Sequence, residues 1–173
     1  AALEDKIVQR AVRTVLEQIY ELDFLGFRYG YRPGRGAHDA LDALSYVIKR
    51  RNVNWILEAD IRGFFDNLDH TWLMKFLEHR VQDRRMLRLI GKWLKAGVSE
   101  DGEWSKTEVG TPQGAVISPL LANVYLHYVL DLWFEQEVQP RLRHRGFLIR
   151  FADDFVMGFR DHRDAQREME VLP

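Results

Sequence analysis

The chain has 173 residues, 46% hydrophobic and 29% charged, enough length and apolar content for one domain with a substantial core. Lys and Arg total 25 against 26 Asp and Glu, so the net charge of -1 excludes a polyanion attraction carried by the whole molecule, and any nucleic-acid contact has to use local basic patches. With no cysteine, disulfide frameworks, thiolate zinc sites and thiol nucleophiles are excluded, and 12% aromatic content argues against low-complexity disorder.

The opening Ala1 to Ala11 is charged throughout and lacks the apolar run of a secretory leader. The expectation is an intracellular, cytoplasmic protein, with a bacterial nucleoid as one setting. From Asp5 to about Tyr20, Ile7, Val8, Ala11, Val12, Val15, Leu16 and Ile19 recur at helical spacing and predict an amphipathic helix. Phe27 to Gly36 mixes aromatics, arginines and glycines around Pro33-Gly34 and predicts a loop or short hairpin. A second helix is predicted from His38 to Arg50, with Leu41, Leu44, Val47 and Ile48 inward.

Val53 to Ile61 predicts a strand, with Ile56, Glu58 and Asp60 on one face and Leu57, Ala59 and Ile61 on the other. Helices follow from His70 to Arg80, with Asp69 as N-cap, and from Asp83 to Lys95. Gly97 to Gly110 predicts a loop with a short hairpin. The apolar stretch Ala115 to Phe134 is interrupted by Ser118, Pro119, Asn123, His127 and Asp131, which fits a buried helix better than a membrane span, with Ser118 as N-cap and Pro119 in the first turn. Phe147 to Phe151 and Phe155 to Phe159 predict a hairpin with Asp153 and Asp154 at its tip, and a last helix begins at Asp161. Strands and hairpins mixed with helices indicate an α+β fold, an antiparallel sheet packed on helices.

Asp60 at a strand end and Asp153-Asp154 in a turn offer hard oxygen donors with no His or Cys beside them, the donor type Mg²⁺ prefers. Spacing alone leaves open the commoner role of such residues, capping local backbone N–H groups. Apolar flanks on both sides favour a cation, because carboxylates among hydrophobic residues are costly without compensation. Two basic clusters stand out, Arg80, Arg84, Arg85 and Arg88, then Arg141, Arg143, Arg145 and Arg150; the sequence does not say which one would track a duplex.

Four blocks, Tyr29 to Leu41, Glu58 to His70, Gly110 to Asn123 and Phe151 to Asp154, resemble in order the motif series of group II intron-encoded reverse transcriptases (maturases). Leu3 to Gln9 resembles the end of an earlier fingers motif, so the likeness covers nearly the whole chain. It implies a right-hand polymerase core, a palm with partial helical fingers and no thumb. The whole chain, 1–173, would be one truncated fingers-palm domain, with about 1–52 fingers and 53–173 mostly palm.

The same resemblance implies an RNA-directed DNA polymerase adding dNTPs to a DNA primer on an RNA template, and a maturase for group II intron RNA in full-length form. Asp60, Asp153 and Asp154 would be catalytic and would hold two Mg²⁺ ions, with Mn²⁺ a substitute and the Ile61 carbonyl completing the shell. Backbone N–H groups at Gly63 and Phe64 would cradle the triphosphate. Phe65 would exclude a ribose 2′-hydroxyl, with core packing as its alternative, and Gln113 would contact the incoming nucleotide. Arg32 and Arg35 would meet phosphate or template, or stand as surface arginines. Truncation leaves a second expectation, a catalytically weak or inactive fragment serving as an RNA-binding or self-associating scaffold. Uncovered apolar surface would favour a homo-oligomer, with no membrane partner.

Overall fold

The computed structural model describes residues 3–95, 98–100, 103–105 and 115–172. The chain divides into two compact units, Ala1–Phe24 with Arg62–Leu126, and Leu25–Ile61 with His127–Pro173. No described helix is long and apolar enough to cross a membrane.

In the first unit, α1 (Leu3–Tyr20) buries Gln9, Leu16 and Tyr20. The expected apolar stripe is buried only in part: Leu16 is fully enclosed and Val12 and Ile19 are half-buried, whereas Ile7, Val8 and Val15 are exposed. The helix turns inward a face anchored by polar contacts, with Gln9 Oε1 accepting the Val116 N–H at 3.0 Å and Arg13 Nη1 reaching the Val116 carbonyl. The buried line Gln9, Leu16, Tyr20 therefore lies to one side of the predicted stripe, with a polar residue, Gln9, as part of it.

A one-turn helix α3 (Phe64–Asn67) leads to α4 (His70–Arg80) and α5 (Arg84–Lys95). Asp69 caps α4 as expected, its Oδ1 accepting the Trp72 N–H at 3.0 Å. Asp83 does the same for α5, accepting from Arg85 and Met86, and these N–H donors hold its carboxyl below the usual range. β2 (Val98–Glu100) and β3 (Glu103–Ser105) form a small antiparallel pair. α6 (Ser118–Leu126) is buried on nearly every side, which explains its mostly apolar composition, with Ser118 and Asn123 as buried polar members. Ser118 is its first helical residue, one place inside the expected cap.

The second unit is built on a three-stranded antiparallel sheet in the order β1 (Trp55–Asp60), β5 (Asp154–Phe159), β4 (Phe147–Phe151). The register pairs Asp60 with Asp154 and Phe151 with the same Asp154, so all three strands meet at the carboxylate-bearing end. α2 (Ala37–Arg50) covers part of one face: Ala40 is buried with Phe147 and Ile149, and Ala43, Leu44 and Val47 pack around them. Leu41 and Ile48, expected inward, are exposed, because the small residues Ala40 and Ala43 form the contact line that lets the helix approach the sheet.

After α6 the backbone widens into π-helical turns at His127–Asp131 and Phe134–Val138. Such turns often accompany a fixed internal contact, and Asp131 makes one here. It is fully buried between Arg28 and Arg150, both about 1% exposed. α7 (His162–Val171) closes the unit, capped by Asp161 through the Arg163 N–H.

Candidate active site

β4 and β5 are joined by a two-residue turn, Ala152-Asp153, between the paired residues Phe151 and Asp154. Ala152 has φ +60, the left-handed region that glycine adopts most readily. Several contacts converge on this turn and the strand that leads into it. Arg150 forks onto Asp131, Nε to Oδ1 at 2.8 Å and Nη2 to Oδ2 at 2.9 Å, and its remaining Nη1 donates to the Ala152 carbonyl. The segment before Gly30 runs alongside β4, with the Tyr29 N–H bonded to the Arg150 carbonyl at 2.9 Å and the Arg150 N–H to the Phe27 carbonyl at 3.0 Å. Gly30 itself lies so close to the turn that a Cβ there would stand 2.2 Å from the Ala152 nitrogen.

Asp60, Asp154 and Glu58 line a groove of about 400 Å³ whose other wall is Ala40, Leu41 and Leu44 of α2. The pleat puts Glu58 and Asp60 on one face of β1, and the register sets Asp154 beside Asp60 on that face. Asp153 is partly exposed in the turn next to it. Burial pushes the Asp154 carboxyl above the ordinary range, and the negative charges of Asp60 and Asp153, a hydrogen bond shared with Asp60, and the charge of Glu58 push it further.

That crowding of like charge is what a divalent cation would relieve, and the donors are hard oxygens, so the residues fit such an ion. Among the described residues no three His, Cys, Asp or Glu side chains stand in a ligating arrangement, so the carboxylates share a groove without being drawn around one point. Glu58 is a member that sequence reasoning left out. Its signal was its place on the Asp60 face, two residues earlier.

Arg32 is 8% exposed, and its Nη1 donates to the carbonyls of Leu25 and Arg28 at 3.0 and 3.3 Å. Arg35 donates to the Gly26 and Arg28 carbonyls and sits over the Tyr29 ring at 5.4 Å. Both guanidinium groups therefore hold the Leu25–Gly36 loop together, the loop that delivers Gly30 to the turn. Ile61 follows directly on β1 and is half-buried.

Gly63, Phe64 and Phe65 belong to the other unit. Gly63 has φ +62 and opens α3, with its carbonyl accepting from Asp66, Asn67 and the Asn67 side chain. Phe64 is buried against Phe65 and Tyr125, ring centroids 5.4 and 6.1 Å apart, while Phe65 is half-buried. Gln113 lies outside the described residues.

An antiparallel sheet carrying aligned carboxylates at one end, backed by helices, is a polymerase palm. Residues 1–172 match the family described as reverse transcriptase (RNA-dependent DNA polymerase), and the chain belongs to that family. Group II intron-encoded protein LtrA of Lactococcus lactis subsp. cremoris is 44% identical over 146 residues, 80% of this chain and 24% of its own length. Protein YkfC of Escherichia coli is 39% identical over 184 residues, 90% of this chain and 48% of its own.

Within the family, this chain falls with the group II intron reverse transcriptases and maturases. Apo telomerase from Candida tropicalis, truncated from its C-terminal domain, matches with a TM-score of 0.68 over 96% of this chain and 36% of its own. At 11% identity that likeness is one of fold. The chain spans about a quarter of the length of LtrA, and reverse transcriptases as a family use divalent metal ions.

Proposed function

We propose that the protein is the catalytic core of an RNA-directed DNA polymerase of the group II intron type, adding dNTPs to a DNA primer on an RNA template. The observation that carries this is the juxtaposition of Asp60 with Asp154, beside Asp153 in a turn held from two sides, in a chain of the reverse transcriptase family. Asp60, Asp153 and Asp154 would hold two Mg²⁺ ions, with Mn²⁺ able to substitute and the Ile61 carbonyl as a further donor. When bound, such ions activate the attacking oxygen and neutralise the leaving one in phosphoryl transfer.

The chain's own residues supply positioning, the larger part of phosphoryl-transfer catalysis. Asp131 and Arg150 fix the turn, and Gly30 backs it. Gly63 and Phe64 offer backbone N–H groups to a triphosphate, Gln113 would touch the incoming nucleotide, and Phe65, less buried than Phe64, is the side chain left to test the sugar. Arg32 we assign to holding its loop, since its guanidinium is committed to carbonyls; Arg35, less enclosed, keeps a phosphate contact as well. By kinship with LtrA, a longer form would also bind group II intron RNA as a maturase.

Primer extension on an RNA template with Mg²⁺ tests this reading. The protein is expected to incorporate dNTPs and the Asp153→Asn variant to lose activity at least a hundredfold. Equal activity of the two, or silence from both with RNA binding retained, contradicts the reading and favours an RNA-binding scaffold. In the same assay Phe65→Ala should admit rNTPs, and unchanged sugar discrimination removes that role from Phe65.

A further inference from the structure

The two basic clusters of the sequence have different fates in the structure. In the C-terminal cluster every arginine has a carboxylate beside it: Arg141 with Glu137, Arg143 with Asp161 at 3.5 Å, Arg145 with Glu135 at 3.7 Å and Arg150 with Asp131. In the other cluster Arg80 pairs with Asp23 and Arg85 with Asp83. Arg84 and Arg88 have no ion pair among the described residues, and neither do Lys92 and Lys95 further along α5.

These four cations line one groove of about 670 Å³ between α4 and α5, where Glu78 is the single carboxylate among the described residues. Arg84, Arg88 and Lys92 recur every four residues, so they form one row with a rise of about 6 Å per step. That step is comparable with the spacing of phosphates along a strand.

Gly91 also lines the groove, within the body of α5. A glycine inside a helix costs stability, and nothing among the described residues requires it here, because a Cβ at Gly91 would meet none of their atoms within 4 Å. What the missing side chain does is keep the groove floor open beside the row of charges.

We propose that the α4–α5 groove binds the phosphodiester backbone of single-stranded RNA, with Arg84, Arg88, Lys92 and Lys95 taking phosphates and Gly91 leaving room for the strand. The choice of RNA rests on the polymerase reading, in which RNA is the template. Counterion release makes such binding salt-dependent, with a slope of log affinity against log salt of about -0.7 per phosphate contact on a single strand.

The test is fluorescence anisotropy of a labelled single-stranded RNA 20-mer with the protein, titrated across KCl concentration in EDTA so that the carboxylate groove plays no part. The parent slope should be near -3, about what four contacts give. Arg88→Gln with Lys92→Gln should reduce its magnitude by about 1.4. Gly91→Leu should weaken binding at least fivefold without lowering the melting temperature, while Arg141→Gln with Arg145→Gln should leave the slope unchanged.

An α5 variant with the parent slope, a slope lost with the Arg141 and Arg145 substitutions, or α5-dependent binding of duplex DNA or polyglutamate but not of RNA overturns the proposal. Failure of polymerisation is a separate outcome. A protein that binds RNA through α5 but extends no primer sinks the catalytic reading alone, and one that extends primers with an unchanged α5 slope sinks the groove alone.

Discussion

Asp60 and Asp154 stand directly opposite each other in the β1–β5 ladder, two carboxyl groups on one face at the end of a sheet. Like charges directly opposite are destabilising, and burial, Asp60, Asp153 and Glu58 all raise the Asp154 carboxyl above its ordinary range. A raised folded value means that this group contributes stability below the unfolded carboxylate pKa, and that the contribution is lost as pH rises through the raised value. In chelator at pH 7, Asp154→Asn is therefore expected to unfold at a higher urea midpoint than the parent, and the gap should close toward about pH 4. A lower midpoint for the variant at pH 7 would show that the carboxylate is already compensated within the chain.

The turn between these strands depends on Asp131, which lies between the buried side chains of Arg28 and Arg150. Removing one partner of a buried ion pair costs about 3–5 kcal/mol. Asp131→Asn should lose stability on that scale in urea titration and should raise amide exchange at Asp153 and Phe155, since the Arg150 contact to the Ala152 carbonyl loses its anchor. Arg150→Lys keeps the charge but gives up the bidentate fork, so it should fall between parent and Asp131→Asn. Exchange at the turn left at parent levels in Asp131→Asn would separate the ion pair from turn geometry.

Two glycines of the same loop give a matched comparison. A Cβ at Gly30 would collide with the Ala152 backbone, whereas one at Gly26 would meet nothing within 4 Å. Gly30→Ala is expected to cost about 1–3 kcal/mol, as overpacking against backbone does, and Gly26→Ala to stay within about 0.5 kcal/mol of the parent. Thermal or urea unfolding of the pair checks this, and equal effects would deny that Gly30 backs the turn.

The strand pattern made much of this legible in advance. Alternation in Val53 to Ile61 puts Asp60 on the Glu58 face, and the two apolar runs around Ala152-Asp153-Asp154 give the hairpin, because a half-buried strand writes its faces into the sequence with a period of two. Asp69 as a cap follows from its side chain reaching back to its own helix. What stayed hidden depends on partners far along the chain. The inward face of α1 includes Gln9, bonded to Val116, beside Leu16 and Tyr20, and leaves Ile7, Val8 and Val15 exposed. Asp131 reads as an interruption in an apolar helix until the fold brings Arg28 and Arg150 to it. Arg32 reads as a phosphate ligand or a surface arginine, and the contacts of its Nη1 with the Leu25 and Arg28 carbonyls depend on a loop conformation the sequence leaves open.

The most direct test of the account is iron-directed cleavage of the polypeptide, with Fe²⁺ bound in place of Mg²⁺ in the presence of dATP and with ascorbate and peroxide added. Radicals from an ion held jointly should cut the chain both near Asp60 and within Phe151 to Asp154, and Asp60→Asn alone should abolish both cuts. Cleavage confined to one of the two segments, undiminished in Asp60→Asn, or absent altogether would contradict a shared cation site.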